Sequence, residues 1–280
     1  MLAALVDKYL YAPNRHVDPE HTTYVIDGKV PCNMYTTPAP VRSIVYVHGN
    51  ATSLATLHDS GMPQQLSRAC NAFVLAIELP GYGADASKVT VGKTRDSQCC
   101  DHLYAALRYL RRKGGSNIAV VGRSLGVAVV LKTFARFPGL ANNSNVLVLV
   151  SGFASVRDMC QSEWLKPFVE DRFCNKHNIT AVNPKTKVVI IHGTADPLIP
   201  FEHAKVLHAA RPDAVFVPVI GMQHGISDTE MQHVSNVISS QLKSTRGTIA
   251  DFHADVLKHA ESEGGARTGS HVWDVFCPLS

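Results

Sequence analysis

Short runs of β-branched and apolar residues recur along this chain, and helical patterns separate several of them. The almost continuous hydrophobicity of these runs is typical of strands buried on both faces, as in a parallel sheet. Between them, Ser97–Arg112 carries an apolar stripe at helical spacing, and Leu125–Phe137 is apolar enough for a buried helix that ends before Pro138. The runs are Ser43–Val47, Phe73–Ile77, Ile118–Val121, Val146–Val150, Val188–Ile191 and Val215–Ile220.

A hairpin precedes this alternating series. Thr22–Met34 alternates in polarity around Asp27-Gly28, a dipeptide suited to a tight turn between antiparallel strands. An antiparallel hairpin followed by alternating strands and helices predicts an α/β fold with a mostly parallel central sheet flanked by helices. Because ligands of such sheets bind outside the carboxyl ends of the strands, we expect the chemistry in the turns that follow the runs.

The length favours one domain. A chain of 280 residues that is 45% hydrophobic can bury one large core, and α/β folds of this size are often single units. We predict one domain over residues 1–280 with its core at about 22–244. Residues 153–183 form the main insertion and fit either a small cap over the site or a connecting helix. Residues 246–280 follow a predicted closing helix, Met231–Leu242, as a C-terminal extension.

Composition and motifs exclude several function classes. The net charge of +4 is small and the basic residues are scattered without a binding motif, so nucleic acid is not an expected partner. The seven cysteines form no C-x-x-C pair and no zinc spacing with histidines, which favours reduced thiols in a cytoplasmic protein. Neither a P-loop nor an H-E-x-x-H motif occurs, so no metal or cofactor is implied.

The first residues, 1–11, leave two interpretations open. They are too short and too charged for a membrane span and lack the features of a signal peptide. Leu2, Leu5, Val6 and Leu10 fit one face of a short helix. Such a stripe is consistent with peripheral membrane contact, although packing on the domain is the commoner use.

The best-defined motif is Gly122-Arg123-Ser124-Leu125-Gly126. It follows the run Ile118–Val121 directly and precedes a helical pattern, which is the strand–turn–helix context of a G-x-S-x-G nucleophile turn. We predict that Ser124 is the catalytic nucleophile. His48-Gly49-Asn50 ends the Ser43–Val47 run, where this fold supplies an oxyanion donor. The predicted oxyanion hole is formed by the backbone N–H groups of Asn50 and Leu125, whereas His48 is expected to be structural.

A serine nucleophile needs a histidine base and an acid that orients it. Asp196 lies just past the Val188–Ile191 run, and His224 lies in a glycine turn just past Val215–Ile220. The chain order Ser, Asp, His is the order expected of a G-x-S-x-G hydrolase. We therefore predict that Asp196 and His224 complete the catalytic triad.

Taken together, these motifs resemble the α/β-hydrolase-domain family that includes the eukaryotic protein depalmitoylases and has serine peptidase-like relatives in the prolyl-oligopeptidase clan. The resemblance covers roughly 44–242. The depalmitoylases carry an N-terminal cysteine cluster that anchors them to membranes, whereas the first cysteine here is Cys32. The residues that carry the resemblance are His48-Gly49-Asn50, Glu78-Leu79-Pro80-Gly81-Tyr82-Gly83, Gly122-Arg123-Ser124-Leu125-Gly126, His192-Gly193-Thr194-Ala195-Asp196 and Gly221-Met222-Gln223-His224-Gly225.

The resemblance implies a Ser-His-Asp mechanism through a covalent acyl-enzyme. Its substrates would be carboxylic esters, thioesters or acylated proteins, and an acyl-protein thioesterase is the most specific version of this prediction. Two alternatives stay open: a serine peptidase of the prolyl-oligopeptidase clan, and a non-catalytic binding protein with a hydrolase fold.

Overall fold

The computed structural model describes residues 11, 13–14, 16–17, 23–83, 85, 95–113, 115, 118–142, 144–160, 162–225 and 227–242. Within these residues, one eight-stranded sheet has the strand order β1-β2-β4-β3-β5-β6-β7-β8. The predictions of an N-terminal helix at residues 1–10 and of a C-terminal extension at 246–280 concern residues outside the described ones. The strands are β1 Tyr24–Ile26, β2 Val30–Tyr35, β3 Arg42–Val47, β4 Ala72–Ile77, β5 Ile118–Arg123, β6 Ser144–Val150, β7 Lys187–Gly193 and β8 Val215–Val219.

The predicted hairpin is present at one edge of the sheet. β1 and β2 pair antiparallel, and the turn between them contains Asp27 at φ 50° and Gly28 at φ 62°. Positive φ at both central positions matches the right-handed twist of the flanking strands, which is why aspartate followed by glycine suits this turn. β2 then pairs antiparallel with β4, while β3 through β8 are joined by parallel pairings.

The central strands are buried on both faces. All residues of β4 are buried, and its neighbour β3 alternates between two apolar clusters. Val45 and Val47 pack with one cluster, and Ile44 and Tyr46 pack with the other. This two-sided burial is what the unbroken apolar runs predict, because helices cover both faces of a parallel sheet. The predicted mostly parallel α/β architecture is thus confirmed.

Helices of more than one turn in the described chain lie on the two faces of this sheet. α3 and α4 contribute Leu103, Leu107 and Phe134 to one cluster, and α2 and α7 contribute Leu66 and Ile238 to the other. No described helix is both long and apolar enough to cross a membrane. The helices are α1 Leu54–Asp59, α2 Met62–Cys70, α3 Arg95–Arg112, α4 Leu125–Arg136, α5 Asn175–Asn178, α6 Glu202–Ala210 and α7 Asp228–Gln241.

Residues 151–186 connect β6 to β7 and contain the predicted insertion. The described part of this segment consists of short elements: the 3₁₀ turns Lys166–Phe168 and Ile179–Ala181, and α5. Phe173 is buried beneath the segment, whereas Trp164 and Phe168 are 88% and 65% exposed. The described part of the segment therefore joins β6 to β7 through short helical turns with exposed aromatic side chains. Its role as a cap stays a prediction.

Candidate active site

Ser124 occupies a strained turn between β5 and α4. Its φ is 53° and its ψ is −116°, a conformation that residues other than glycine rarely adopt. The Ser124 amide donates to the Val150 carbonyl at 2.9 Å, which fixes the turn to the neighbouring strand β6. The side chain is 8% exposed, so it reaches the surface only at the carboxyl edge of the sheet. Strain held by surrounding structure is common where a side chain must be aimed at a substrate.

The glycines on either side of Ser124 allow this turn to form. A β-carbon on Gly122 would lie 2.6 Å from the Gly126 carbonyl oxygen, and one on Gly126 would overlap the Val47 carbonyl oxygen. Any larger side chain would therefore push α4 away from the ends of β5 and β3. The G-x-S-x-G spacing is thus explained by close backbone contacts on both sides of the nucleophile turn.

Three side chains that are far apart in sequence meet at this edge. His224 Nε2 lies 3.2 Å from Ser124 Oγ, and His224 Nδ1 lies 2.8 Å from Asp196 Oδ2. Asp196 follows β7 and His224 follows β8, so adjacent parallel strands deliver both residues to the same edge. The imidazole is therefore hydrogen-bonded to a hydroxyl on one side and to a carboxylate on the other, which is the arrangement of an activated serine.

The carboxylate of Asp196 is buried, and hydrogen bonds within the protein satisfy both of its oxygens. Its Oδ1 accepts from the amides of Leu198 and Ile199 at 2.9 and 2.8 Å, while Oδ2 faces His224. Burial alone raises the pKa of Asp196, but the hydrogen bonds from His224, Ile199 and Leu198 outweigh it and hold that pKa below its usual value. Asp196 is therefore an ionised acceptor that can stabilise a protonated imidazole.

A second histidine, His192, lies behind Asp196. Its Nε2 donates to the Ile199 carbonyl at 2.8 Å and is 3.7 Å from Asp196 Oδ2. Burial lowers the pKa of His192, so the ring is neutral and places no competing positive charge beside the carboxylate. His192 was not assigned a role from the sequence, although it lies at the end of β7 and only four residues before Asp196.

The turn that ends β3 lies directly beside the nucleophile. A β-carbon on Gly49 would be 3.2 Å from Ser124 Cβ, so the predicted oxyanion turn and the nucleophile turn are in contact. The next residue, Asn50, accepts a hydrogen bond from the Tyr82 hydroxyl through Oδ1 at 2.6 Å. Leu125 opens α4, and amides in the first turn of a helix have no intrahelical acceptor.

A buried contact between a histidine and a carboxyl group supports this turn from below. His48 Nε2 lies 2.9 Å from Glu78 Oε1, and both side chains are fully buried. Glu78 Oε2 accepts from the amide of Leu54 at the start of α1. The ring of Tyr82 packs edge-on against His48 with centroids 5.3 Å apart. These contacts fit the expected structural role of His48, and they explain the motif Glu78–Gly83 as a support for the site rim.

Solved structures share this architecture. TT1662 from Thermus thermophilus superposes with a TM-score of 0.62 at 16% identity, covering 80% of this chain and 99% of that one. The Pyrococcus furiosus esterase Pf2001 gives a TM-score of 0.57 at 16% identity, covering 87% and 98%. Est1E from Butyrivibrio proteoclasticus, solved with ferulic acid bound, gives 0.60 at 13% identity, covering 79% and 98%. The chain has the α/β-hydrolase fold.

Sequence relatives agree with the α/β-hydrolase fold and with the predicted resemblance. Human alpha/beta hydrolase domain-containing protein 17B is 27% identical over 168 residues, which are 59% of this chain and 54% of that protein. Uncharacterized protein YfhR of Salmonella typhimurium is 26% identical over 198 residues, 64% of this chain and 63% of that protein. The chain thus matches less than two thirds of the length of either relative. No family model matches the sequence.

Two further histidines that follow Asp196 in the chain lie away from the Ser124 hydroxyl. His203 Nδ1 accepts from the Ala154 amide at 3.1 Å, and His208 stacks on Phe216. His203 therefore holds the start of the 151–186 segment, and burial lowers its pKa. Within the described residues, no cluster of three or more His, Cys, Asp or Glu side chains is arranged to hold a metal ion.

Proposed function

We propose that this chain is a serine hydrolase that cleaves carboxylic ester or thioester bonds. The observation that carries the proposal is the hydrogen-bonded series Ser124 Oγ, His224 and Asp196 Oδ2, with distances of 3.2 and 2.8 Å, built on a strained turn that follows a parallel strand. Hydroxyl activation by a positioned imidazole is the common basis of serine hydrolases on several unrelated folds.

The first half of the reaction forms an acyl-enzyme. Ser124 Oγ attacks the substrate carbonyl carbon while His224 Nε2 takes the hydroxyl proton, and Asp196 stabilises the resulting imidazolium. The carbonyl oxygen becomes an oxyanion that accepts hydrogen bonds from the amides of Asn50 and Leu125. The bond to the leaving alcohol or thiol then breaks, and His224 returns the proton to that group.

The second half releases the acid. Water enters the position vacated by the leaving group and gives a proton to His224 as its oxygen attacks the acyl carbonyl. The bond between the carbonyl carbon and Ser124 Oγ breaks, and His224 returns the proton to Oγ. The positive end of α4 points at the nucleophile turn and favours negative charge there in both halves. The reacting groups supplied by the protein are all in the described chain.

Esters are the proposed bonds because human alpha/beta hydrolase domain-containing protein 17B has a hydrolase name and Pf2001 is named an esterase. Thioesters are included because the same attack on an acyl carbonyl cleaves them. The order of the motifs resembles that of the family that includes the protein depalmitoylases, so an acylated protein is the most specific substrate proposed. A serine peptidase and a binding protein that keeps the fold are the competing functions. We further propose that the described residues belong to one domain, with 153–183 as a small cap.

Turnover of matched substrates tests the proposal. Purified protein is assayed with p-nitrophenyl butyrate, S-butyryl-N-acetylcysteamine and a peptide p-nitroanilide, alongside Ser124→Ala. We expect ester and thioester turnover that falls roughly 10⁴-fold or more in the variant. Ser240→Ala, on the exposed face of α7, is the control and keeps full activity. Peptide cleavage without ester cleavage would favour the peptidase, and a folded protein that turns over none of the three would favour the binding protein.

A further inference from the structure

The side chain of Arg123 connects the parts of the proposed active site. Its backbone precedes Ser124, and its Nη2 donates to the backbone carbonyl of His224 at 2.5 Å. Its Nη1 lies 3.8 Å from the position that a β-carbon on Gly49 would take. One guanidinium group thus contacts the turn that carries the base and approaches the turn that precedes the oxyanion donor Asn50.

The His224 turn is otherwise anchored before it reaches His224. Thr194 Oγ1 accepts from the amide of Gly221, and the Met222 carbonyl accepts from the amide of Ala195. Both bonds hold the start of the turn to the end of β7. Arg123, at the end of β5, donates a hydrogen bond to the carbonyl of His224 itself. This bond limits how far the imidazole can swing away from Ser124.

The charge of Arg123 has an unusual setting. Among the described residues, no carboxylate lies within ion-pair distance of the guanidinium, and its Nε is buried without a hydrogen-bond partner. Arg123 as a whole is only partly buried, so the absent counter-ion implies no large desolvation penalty. The planar guanidinium has several donors in a fixed geometry, which suits it to hold a backbone carbonyl such as that of His224.

A cavity of about 210 Å³ lies beside this group. Arg123 is the lysine- or arginine-type cation in its wall, which also includes Tyr46, His48, Gly49 and Met62. The cavity gives a small cation a route to the position of the guanidinium if the arginine side chain is removed.

We propose that Arg123 is a positioning residue that holds the His224 turn against the nucleophile turn and so keeps His224 Nε2 within reach of Ser124 Oγ. This inference rests on the proposed function for its catalytic consequence. A displacement of a catalytic group by about 1 Å typically costs about 10²-fold in rate. The loss should therefore fall on kcat, with KM nearly unchanged, because Arg123 acts on the base and not on substrate binding.

Three substitutions separate the properties of this side chain. Arg123→Met keeps its length without donors or charge, and we expect kcat to fall about 30-fold with KM changed less than about threefold. Arg123→Lys keeps one donor and the charge, and should retain an intermediate kcat. Arg123→Ala opens the site to the cavity, so that guanidinium chloride at about 20 mM should restore kcat at least fivefold over the same concentration of sodium chloride. Arg136→Ala, on the exposed side of α4, should show neither loss nor rescue.

Hydrogen exchange gives a readout that does not depend on turnover. Arg123→Met should speed amide exchange in residues 221–225 at least tenfold while the core strand β5 stays protected. Unchanged exchange in that turn, a kcat within twofold of wild type, or a loss confined to KM would overturn the proposal. If Arg123→Met fails to fold, the same limits apply to Arg123→Lys. A wild type without hydrolysis but with faster turn exchange in the variant would contradict the proposed function and leave the positioning role standing.

Discussion

The turns at the carboxyl edge of the sheet and the 151–186 segment are built in different ways. The turns are fixed by backbone contacts: Gly126 lies against the Val47 carbonyl, and a β-carbon on Gly193 would overlap the Met222 carbonyl oxygen. The segment is fixed from beneath by a few buried side chains such as Phe173, while Trp164 and Phe168 face solvent. Side-chain anchoring leaves the exterior of the segment free to vary, whereas backbone contact leaves almost no freedom in the turns.

This difference separates two tasks. Chemistry requires reacting atoms held within a few tenths of an ångström, which close-packed backbone turns at strand ends provide. Substrate choice on α/β folds is made by the loops that surround such a site, and these tolerate change. We therefore expect substitutions in the turns to affect rate or folding, and substitutions on the outer face of 151–186 to affect neither for a small substrate.

The largest expected effect comes from the carboxylate behind the base. Asp196→Asn keeps the size of the side chain but donates where Asp196 accepts, so it favours the wrong tautomer of His224. We expect kcat to fall by about 10⁴-fold on p-nitrophenyl butyrate, with the fold retained and a lower free energy of unfolding at neutral pH, because the lowered pKa of Asp196 stabilises the folded state there. Asp213→Asn, at an exposed aspartate after α6, is the control and should retain wild-type kcat. A loss below about tenfold would remove Asp196 from the proposed mechanism.

The next largest effect is on folding. Gly126→Ala introduces a β-carbon that overlaps the Val47 carbonyl, so α4 must shift from β3, and we expect a loss of about 3 kcal/mol in the free energy of unfolding. Gly139→Ala is the matched control, since nothing lies within 4 Å of its added β-carbon. Urea denaturation of both variants measures the difference. Equal stability for the two would show that close contact at Gly126 is not limiting.

Stability should also fall on mild acidification because of histidines buried near the turns. Burial lowers the pKa of His192 and His203, so the unfolded chain binds protons near pH 6.5 that the folded chain does not. The free energy of unfolding therefore decreases as pH falls from 7 to 5. Asp196 acts at lower pH: its lowered pKa adds stability that is present above about pH 4 and is lost below that range.

A variant isolates the contribution of His192. His192→Gln retains a donor for the Ile199 carbonyl but cannot titrate, so its stability should change less between pH 7 and 5 than that of wild type. His177→Gln, at an exposed histidine of the 151–186 segment, should keep the wild-type slope. Denaturation curves at three pH values for each protein give the comparison. Identical slopes for His192→Gln and wild type would contradict the burial argument.

The smallest effect is expected on the outer face of the 151–186 segment. Trp164→Ser removes a side chain that is 88% exposed, so the free energy of unfolding should change by less than about 0.5 kcal/mol. Phe173→Ala in the same segment removes a fully buried ring and should cost about 3–5 kcal/mol. Turnover of p-nitrophenyl butyrate by Trp164→Ser should stay within about twofold of wild type. A large loss on that small ester would place the segment over the nucleophile.

Much of the fold could be predicted because the strands are buried on both faces. The run Phe73–Ile77 became β4 with one added residue, and the run at Val215 ended one residue early because Gly221, at φ 75°, turns the chain. α1 and α2 were not predicted. α1 has six residues, starting after a capping box at Ser53, and α2 has nine. Helices this short contain too few apolar residues for a helical period to be detected in the sequence.

The residues that meet at the carboxyl edge of the sheet were also predictable, since each directly follows a predicted strand and their chain order is Ser, Asp, His. Ser124 and Asp196 are both hydrogen-bonded to the ring of His224, as expected, while the catalytic roles of the three residues stay proposals. The contact from Arg123 to His224, across 101 positions of the chain, could not be read from the sequence. This contact depends on the order of the strands in the sheet and on the direction of a long side chain, and the hydrophobic pattern of the sequence predicts neither.

Covalent labelling of the nucleophile tests the central claim most directly. Wild type, Ser124→Ala and Ser240→Ala are treated with a fluorophosphonate probe, and the adduct is mapped by peptide mass spectrometry. The proposed mechanism predicts one adduct on Ser124 in wild type and in Ser240→Ala, and none in Ser124→Ala, with all three proteins equally stable. An adduct on another residue, or no adduct on a folded wild type, would contradict it.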